Sequence, residues 1–154
     1  MVRFKHRYFA VELVPLDAHA ERELLGINQW EILANILKVV EQMHGEFGAA
    51  AVKNSLQVKY CNKQTHTAVI RVAHGPHRLV GSSLPFLSKI KLAHVQVKGI
   101  YTGAAIIKCL HFIKKYNLEK LNEALKLCKS NEQKQKLSEI IASVEKEAVK
   151  YNLK

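Results

Sequence analysis

The first sixteen residues constrain this chain most, because they join a basic, aromatic leader to an apolar strand without a break. Cations and rings alternate through the leader: Arg3, Phe4, Lys5, His6, Arg7 and Tyr8. A mainly apolar run follows directly and ends at Pro15, with apolar residues at positions 9, 10, 11, 13 and 14. Apolar side chains at both odd and even positions are typical of an interior strand with a neighbour on each side. We therefore predict that the leader's ligand is held at one end of the middle strand of a sheet.

The net charge indicates a polyanionic partner. The chain has 24 Lys+Arg against 13 Asp+Glu, a formal charge of +11, and an isoelectric point of about 9.7. Residues 1–88 contribute +3 and residues 89–154 contribute +8, so the excess lies in the leader and in the last third. Nucleic acid and an anionic membrane surface both fit this charge. A lysine-rich surface that is merely solvated is the alternative.

Length and composition predict one soluble, intracellular domain spanning residues 1–154, with a core over residues 1–103 and a helical extension over residues 104–154. No apolar run approaches the ~20 residues of a membrane span, and the leader does not have the pattern of a secretory signal. The three cysteines are too few for a disulfide framework or a zinc site, and we expect reduced thiols at Cys61, Cys109 and Cys128. No cofactor is predicted.

Hydrophobic spacing predicts the first helix and its flanking connections. Residues 17–27 are polar and mixed and are interpreted as a connection. Asn28 and Glu31 form a capping-box pattern that opens an amphipathic helix, and Gly45 is predicted to end it. Residues 44–51 are interpreted as a small-residue connection after that helix.

The second half of the core is predicted as a hairpin followed by a helix. Residues 56–61 alternate between apolar and polar side chains. Residues 67–73 place Ala68, Ile70 and Val72 on one face and Val69 and Arg71 on the other, so the two segments are predicted to pair as a hairpin. A helix opens at residues 75–76 and extends to Ile90, and Pro85 is expected to kink or divide it.

Residues 93–101 complete the core as a fourth strand, with their apolar side chains at alternate positions. The resulting order is strand, helix, strand, strand, helix, strand. This order predicts an α/β (α+β) fold, a ferredoxin-like split βαβ sandwich with a four-stranded antiparallel sheet in the order 4-1-3-2. Three C-terminal helices are predicted after the core, with apolar positions over residues 106–113, 118–125 and 137–148.

One face of the predicted sheet offers polar side chains and no stacking aromatics. It carries Glu12, Gln57, Lys59, Arg71, Gln96 and Lys98. An RNA-recognition module would place aromatic rings on its central strands, and residues 67–73 contain none. Sequence-specific reading of single-stranded RNA on this face is therefore not predicted, whereas contact with the backbone of a folded RNA is compatible with it. The alternative is that the C-terminal helices or a partner protein cover this face.

Catalytic motifs are weak. His74 and His77 lie on a turn that implies no third ligand, so no metal site is predicted. An acylphosphatase-like hydrolase on the same fold would need an arginine and an asparagine beside an anion-binding loop. Asn62 and Arg71 are the candidates, but no glycine-rich loop follows the first strand. Such a hydrolase and a generic RNA-binding or ribosomal-type protein are the alternative functions, and no catalytic residue is assigned.

Several segments of the first 117 residues share a pattern with one known family. They are residues 2–8, residues 12–14, residues 44–51, residues 84–86, and Gly103, Cys109, Phe112, Tyr116 and Asn117. In this order they resemble the Pop-five family of protein subunits of ribonuclease P and ribonuclease MRP, of the eukaryotic and archaeal type. The leader is the most specific part of the resemblance.

The resemblance implies a ferredoxin-like sandwich that has no catalytic activity of its own and works beside a catalytic RNA. It implies that the chain supports 5′ maturation of precursor tRNA, and rRNA processing, by stabilising the RNA of ribonuclease P and ribonuclease MRP. It also implies contact with other protein subunits of the Rpp-thirty type and the Rpp-fourteen type. A nuclear and nucleolar location is expected, with no membrane partner.

Two features depart from the family pattern. Where the family tends to have a Gly-Thr-Ile-Arg-like entry to a helix, this chain has residues 104–107, Ala-Ala-Ile-Ile. A basic contact expected at Ile107 is missing, and the adjacent Lys108 is the candidate to replace it. Some relatives end in an acidic tail, whereas this chain ends in a basic helix with Lys146, Lys150 and Lys154.

Basic and aromatic side chains are therefore predicted to contact RNA: Arg3, Lys5, His6, Arg7, Tyr8, Lys59, Arg71, Lys98 and Lys108. The three cations of the leader would neutralise phosphates, while His6 and Tyr8 would add hydrogen bonds or stacking. The alternative for the leader is a solvated arm without a ligand.

Overall fold

The computed structural model describes residues 3–150, except for the side chains of residues 144, 145 and 147–150. The strands in this part are β1 (His6–Pro15), β2 (Gln57–Asn62), β3 (Thr67–Ala73), β4 (Lys89–Ile90) and β5 (Ala93–Gly103). The helices are α1 (Ala18–Gly26), α2 (Gln29–Lys53), α3 (His77–Ser83), α4 (Ile106–Leu127) and α5 (Asn131–Lys150). Some residues of the sequence interpretation lie outside the described side chains: Val2, Val144, Ala148, Lys150 and Lys154.

The sheet is antiparallel and has five strands rather than the four predicted. Its order is β2-β3-β1-β5-β4, so β1 is an interior strand, as its apolar content predicted. The additional strand β4 contains Ile90, which was predicted at the end of a helix. Lys91 adopts a left-handed φ of 56° and turns the chain back, so that Ile90 pairs with Ala93 of β5.

The main core lies between one face of the sheet and helices α1 to α3. From β1 it takes Phe9, Val11 and Leu13, and from α2 it takes Ile32 and Ile36, among others. The capping box at the start of α2 is confirmed. The Glu31 backbone N–H donates to Asn28 Oδ1 at 3.0 Å, and the Asn28 N–H donates to Glu31 Oε2 at 3.1 Å. These bonds satisfy two backbone donors that the first turn of a helix leaves unpaired.

Two segments predicted as connections are helical. Residues 17–27 contain α1, because Asp17 caps it by accepting a 2.6 Å bond from the Ala20 N–H and because Ala20 and Leu24 are buried. Gly45 does not end α2 but kinks it, with φ of 71° and ψ of −175°. The helix then resumes through residues 46–53, where alanines favour it and Val52 is buried in the main core.

The later helices also differ from the prediction in their boundaries. The helix expected to run to Ile90 stops at Ser83, and Pro85 lies in a short 3₁₀ turn, Leu84–Phe86. By contrast, the two helices predicted over residues 106–125 are one continuous helix, α4. Asn117, in the middle of α4, is buried, and its side chain donates a 3.3 Å hydrogen bond to Thr65 Oγ1.

Helix α4 covers the second face of the sheet and resolves the alternative left open by the sequence. Its buried residues Cys109, Leu110 and Ile113 pack against Ala10 of β1 and Val69 of β3. Helix α5 packs on α4 in turn. Cys109 behaves as a small apolar group, and its burial raises the pKa of the thiol. None of the helices in the described part is both long and apolar enough to span a membrane.

Candidate nucleic-acid interface

Strands β1, β3 and β5 bring the leader and several later residues to one end of the sheet. In the β1–β3 register His6 is opposite Ala73 and Tyr8 is opposite Arg71, and in the β1–β5 register Tyr8 is opposite Gly103. Helix α4 starts at this end, and Cys109 Sγ donates a 3.7 Å hydrogen bond to the Tyr8 carbonyl. We call this region the basic end; it comprises residues 5–8, Arg71, His74 and His77.

Arg71 is held in place by two neighbours at the basic end. Its Nη2 lies 2.7 Å from His6 Nε2, and its Nη1 donates to Gln57 Oε1 at 3.3 Å. A guanidinium can only donate, so Arg71 is the donor in this short contact and the His6 ring nitrogen is the acceptor. Arg71 Nε is buried and makes no hydrogen bond within the described residues. The two contacts orient the guanidinium, and because its two Nη atoms carry four N–H groups, donors remain there for an anion.

Arg7 lies near α3, among other basic groups. Burial, followed by the charges of His74, Arg7 and Arg78, lowers the pKa of His77 below its ordinary value. The rings of His74 and His77 stack with their centroids 4.9 Å apart. The region is thus cationic without protonation of His77.

The leader itself is exposed but attached at its base. The His74 N–H donates a 2.8 Å hydrogen bond to the Lys5 carbonyl, so the backbone is fixed next to β3. Arg3, Phe4 and Lys5 are all exposed to solvent. Arg3 and Lys5 are therefore open to a large ligand next to an ordered strand, and Arg7 lies half-buried on that strand.

Some residues of the predicted site lie elsewhere. Lys98 is opposite Glu12, further along β5, and its Nζ donates to Tyr116 Oη at 3.2 Å. Lys59 is exposed in the irregular part of the edge strand β2. Lys108 is exposed in the first turn of α4, close in sequence to Gly103, which pairs with Tyr8. The leader and Arg71 thus lie together at one end of the sheet, Lys108 lies beside them on α4, and Lys98 and Lys59 lie apart.

Glu12 was assigned to an open sheet face, and that assignment is wrong. Only 7% of Glu12 is exposed. Its carboxylate accepts a 2.9 Å hydrogen bond from Tyr116 Oη and forms an ion pair with Lys120. Burial alone would lower the pKa of Lys120, but its hydrogen bond and attraction to Glu12, with a contribution from Tyr116, raise it above the ordinary value. Glu12 thus fixes α4 to β1.

The geometry does not assemble the hydrolase site considered above. Asn62 is opposite Thr67 at one end of the β2–β3 hairpin, and Arg71 is opposite Gln57 at the other. Thr67, the residue opposite Asn62, is four positions before Arg71 on β3, a separation of about 13 Å along the strand. Asn62 Oδ1 accepts backbone hydrogen bonds from the following turn at 2.8 and 3.2 Å. In the described part of the chain no three His, Cys, Asp or Glu side chains are placed to hold a metal ion.

The sequence interpretation missed one aromatic pair. Tyr101 of β5 and Phe112 of α4 stack with ring centroids 5.1 Å apart and an interplanar angle of 18°. An RNA-recognition module carries its aromatics on the central strands, whereas this pair forms because α4 crosses β5. The signal in the sequence was the closeness of Phe112 to the cations Lys108 and Lys115.

The fold and the basic end together define an α/β protein with a cationic surface suited to RNA. A family model described as the Rpp14/Pop5 family matches residues 7–114. The chain is 33% identical to a ribonuclease P/MRP protein subunit POP5 of Danio rerio, over 93% of this chain and 86% of the relative. The corresponding subunit of Homo sapiens is 31% identical, over 83% and 79%. The chain therefore belongs to the Rpp14/Pop5 family.

A solved structure supports the fold. A chain in the cryo-EM structure of yeast ribonuclease MRP is similar to this one with a TM-score of 0.54. The match covers 83% of this chain and 99% of that chain, at 14% identity. At this identity the likeness concerns the fold alone.

Proposed function

We propose that this chain is a non-catalytic, RNA-binding subunit of ribonuclease P and ribonuclease MRP. In this function it supports 5′ maturation of precursor tRNA, and rRNA processing, by stabilising the catalytic RNA. Membership of the Rpp14/Pop5 family supports the proposal, since the named relatives are subunits of these ribonucleoproteins. The structural observation that carries it is an exposed cationic leader attached to the interior strand of the sheet.

The leader binds by charge, and its attachment lowers the cost of ordering. Arg3, Lys5 and Arg7 contact phosphates and release counterions from the RNA. Because the backbone at Lys5 is already fixed by His74, less conformational entropy is lost on binding than for a free arm. Arg71, oriented by His6, adds a planar donor group beside these cations. No step of the chemistry is assigned to the protein.

We also propose the finer expectations of the family for this chain. The protein partners are subunits of the Rpp-thirty type and the Rpp-fourteen type, and the location is the nucleus and nucleolus. The chain forms a single domain, with residues 1–103 as core and residues 104–154 as helical extension. The four longer strands and their helices form a ferredoxin-like core to which β4 is added; the order β5-β1-β3-β2 of those strands supports this.

Replacement of Arg3, Lys5 and Arg7 together by Ala tests the function of the leader. Each lost phosphate contact removes about 0.7–0.9 from the slope of log affinity against log salt, so the slope should fall by about 2 to 3. Binding to the catalytic RNA would be measured at several salt concentrations, together with the activity of the reconstituted ribonucleoprotein. We expect both affinity and activity to fall while the far-ultraviolet circular dichroism stays unchanged.

A control variant has the same change of charge at exposed positions away from the basic end: Arg22→Ala, Lys38→Ala and Lys89→Ala. It should retain the salt slope of the wild type. Unchanged RNA affinity and activity in the leader variant, or an equal loss in the control, would show that the leader does not bind the RNA. Cleavage of precursor RNA by the purified chain alone would contradict the non-catalytic assignment.

A further inference from the structure

We propose that the surface where α4 crosses β5 binds an unpaired segment of RNA by stacking a base on Phe112. We call this surface the stacking strip; it comprises Lys98, Tyr101, Lys108, Phe112, Lys115 and Tyr116. The proposal rests on the proposed function, and it assigns to the same protein a second site with a different ligand. The basic end contacts phosphates of a folded RNA, whereas the stacking strip takes single-stranded nucleotides.

The aromatic pair provides a platform that a base can extend. The rings of Tyr101 and Phe112 are nearly parallel and 5.1 Å apart, in the range of offset stacking. Phe112 is 41% exposed, so part of its ring is open to solvent. Tyr101 packs, together with Tyr8 and Ile106, against the buried residues between α4 and the sheet, and this packing holds the Tyr101 ring in place. The stack therefore exists before any ligand binds.

Gly103 makes room for this arrangement. A Cβ atom at residue 103 would lie 2.7 Å from Cε1 of Tyr101, closer than real contacts of this kind. The Tyr101 ring thus lies over bare backbone, and a side chain at residue 103 would displace the ring. The φ of Gly103 is outside the left-handed region, so it is space and not backbone conformation that favours glycine here.

Cations flank the aromatic pair at helical spacing. Lys108 and Lys115 stand four residues before and three residues after Phe112, on the same side of α4, and both are exposed. Lys98 extends the strip along β5, with its ammonium 5.6 Å from the centroid of the Tyr116 ring. The exposed ion pair between Lys115 and Glu119, at 3.9 Å, is weak and easily exchanged for a phosphate. Rings interleaved with lysines favour a single-stranded polyanion over an apolar protein segment.

The outer edge of β5 leaves the strip accessible. Strand β4 pairs with β5 only at Ala93 and His94, so residues 96–103 have no neighbouring strand on that side within the described chain. A duplex keeps its bases stacked inside its own helix and cannot extend a protein stack, whereas an unpaired base can. The ligand class that fits is therefore a single-stranded or looped segment of RNA.

The test compares two probes on the full chain by fluorescence anisotropy: a labelled oligouridine of about 12 nucleotides and an RNA duplex of similar length. The variant Phe112→Leu keeps an apolar side chain and removes the aromatic ring. We expect about tenfold weaker binding of oligouridine, from the loss of one stacked base, and an affinity for the duplex within about twofold of wild type. Phe112→Trp should restore oligouridine binding. The matched control Phe47→Leu, at a phenylalanine of α2 that is 86% exposed, should change neither affinity.

Gly103→Ala provides a second variant that leaves Phe112 in place. It should weaken oligouridine binding because it displaces Tyr101, while thermal unfolding shows that the fold is retained. Unchanged oligouridine binding in both Phe112→Leu and Gly103→Ala would overturn the proposal. An equal loss on both probes would also overturn it, because stacking would then not be the cause. Loss of a protein subunit from the reconstituted ribonucleoprotein, with oligouridine binding intact, would identify the strip as a protein interface instead.

The leader variant separates this proposal from the proposed function. Replacement of Arg3, Lys5 and Arg7 should weaken both probes and reduce the salt slope, whereas Phe112→Leu should weaken oligouridine alone and leave the salt slope unchanged. If the leader variant binds both probes normally and Phe112→Leu still binds oligouridine more weakly, the stacking strip is supported and the RNA-binding function of the leader is contradicted.

Discussion

The attachment of α4 to β1 through Glu12 permits a quantitative prediction of stability. Glu12 is 7% exposed, accepts a hydrogen bond from Tyr116 Oη at 2.9 Å, and is paired with Lys120. The change Glu12→Ala removes the acceptor of both groups, so the Tyr116 O–H loses its acceptor at the interface of helix and sheet while Lys98 still donates to its oxygen. The variant should therefore weaken the packing of α4 on the sheet and not merely alter the conformation of one side chain.

The expected loss follows from the two contacts. A hydrogen bond to a charged group contributes about 1.5–3 kcal/mol to stability. The Lys120 side chain is 52% exposed, so its ammonium regains water and the ion pair adds only about 0–1 kcal/mol. We expect Glu12→Ala to lower the free energy of unfolding by about 2 to 3 kcal/mol. Tyr116→Phe removes the same hydrogen bond and should lose about 1.5–3 kcal/mol. Glu12→Gln should lose less than Glu12→Ala because an amide oxygen still accepts.

Urea denaturation followed by circular dichroism measures these differences, and amide hydrogen exchange shows whether α4 loses protection first. A double-mutant cycle between Glu12→Ala and Tyr116→Phe should give a coupling of about 0.5–2 kcal/mol. Glu123→Ala, at an exposed position of the same helix, is the control and should stay within about 0.5 kcal/mol of the wild type. Additive single effects, or a Glu12→Ala variant as stable as the control, would refute the assigned function of Glu12.

Two further predictions concern backbone strain and pH. Gly45→Ala places a side chain in a region of φ and ψ open essentially to glycine, so it should lose about 1–3 kcal/mol in urea denaturation. Gly26→Ala, where φ is not left-handed and a Cβ meets nothing within 4 Å, should show no such loss, and equal behaviour of the two variants would contradict the strain argument. Burial lowers the pKa of His66 below its ordinary value of 6.5, so the unfolded chain binds a proton more readily. The free energy of unfolding should therefore fall as pH decreases below about 6.5. His66→Asn should reduce that fall when unfolding is followed from pH 7.5 to 5, since asparagine tolerates the φ of 52° at this position. An unchanged pH profile would show that His66 is not the cause.

The sequence was sufficient where a local pattern and the final structure agree. The interior position of β1 followed from apolar residues on both faces, and the hairpin of β2 and β3 followed from alternation on each side of a turn. The capping box of Asn28 and Glu31 needs only neighbours within one turn. In each case the interaction that decides the structure lies within the segment that carries the pattern.

The sequence was insufficient where distant contacts decide the outcome. Gly45 is a typical helix stop, yet α2 resumes after it. Gly48 packs closely against His44 and α3, and a Cβ atom built on Gly48 would lie 3.8 Å from Leu79 Cδ1. Strand β4 has two residues, too few for any periodicity, and exists through its pairing with β5. Helix α1 shows only Ala20 and Leu24 on its buried side, so its apolar pattern is faint.

The same reasoning applies to the candidate interface. Arg71 meets His6 across 65 residues of sequence because β1 and β3 pair in one particular register, which spacing alone does not give. Tyr101 and Phe112 meet because α4 turns back over β5. The identity of the cations could be predicted, but their division between the basic end and the stacking strip depends on tertiary structure.

The late position of α4 in the chain has a consequence for biosynthesis. Ala10 and Val69 leave the ribosome long before the residues that cover them, Cys109, Leu110 and Ile113. During translation one face of the growing sheet therefore stays exposed and apolar, while the other face can already pack against α1 to α3. A nascent chain stalled before residue 106 should bind chaperones through that side, and release should coincide with the emergence of α4.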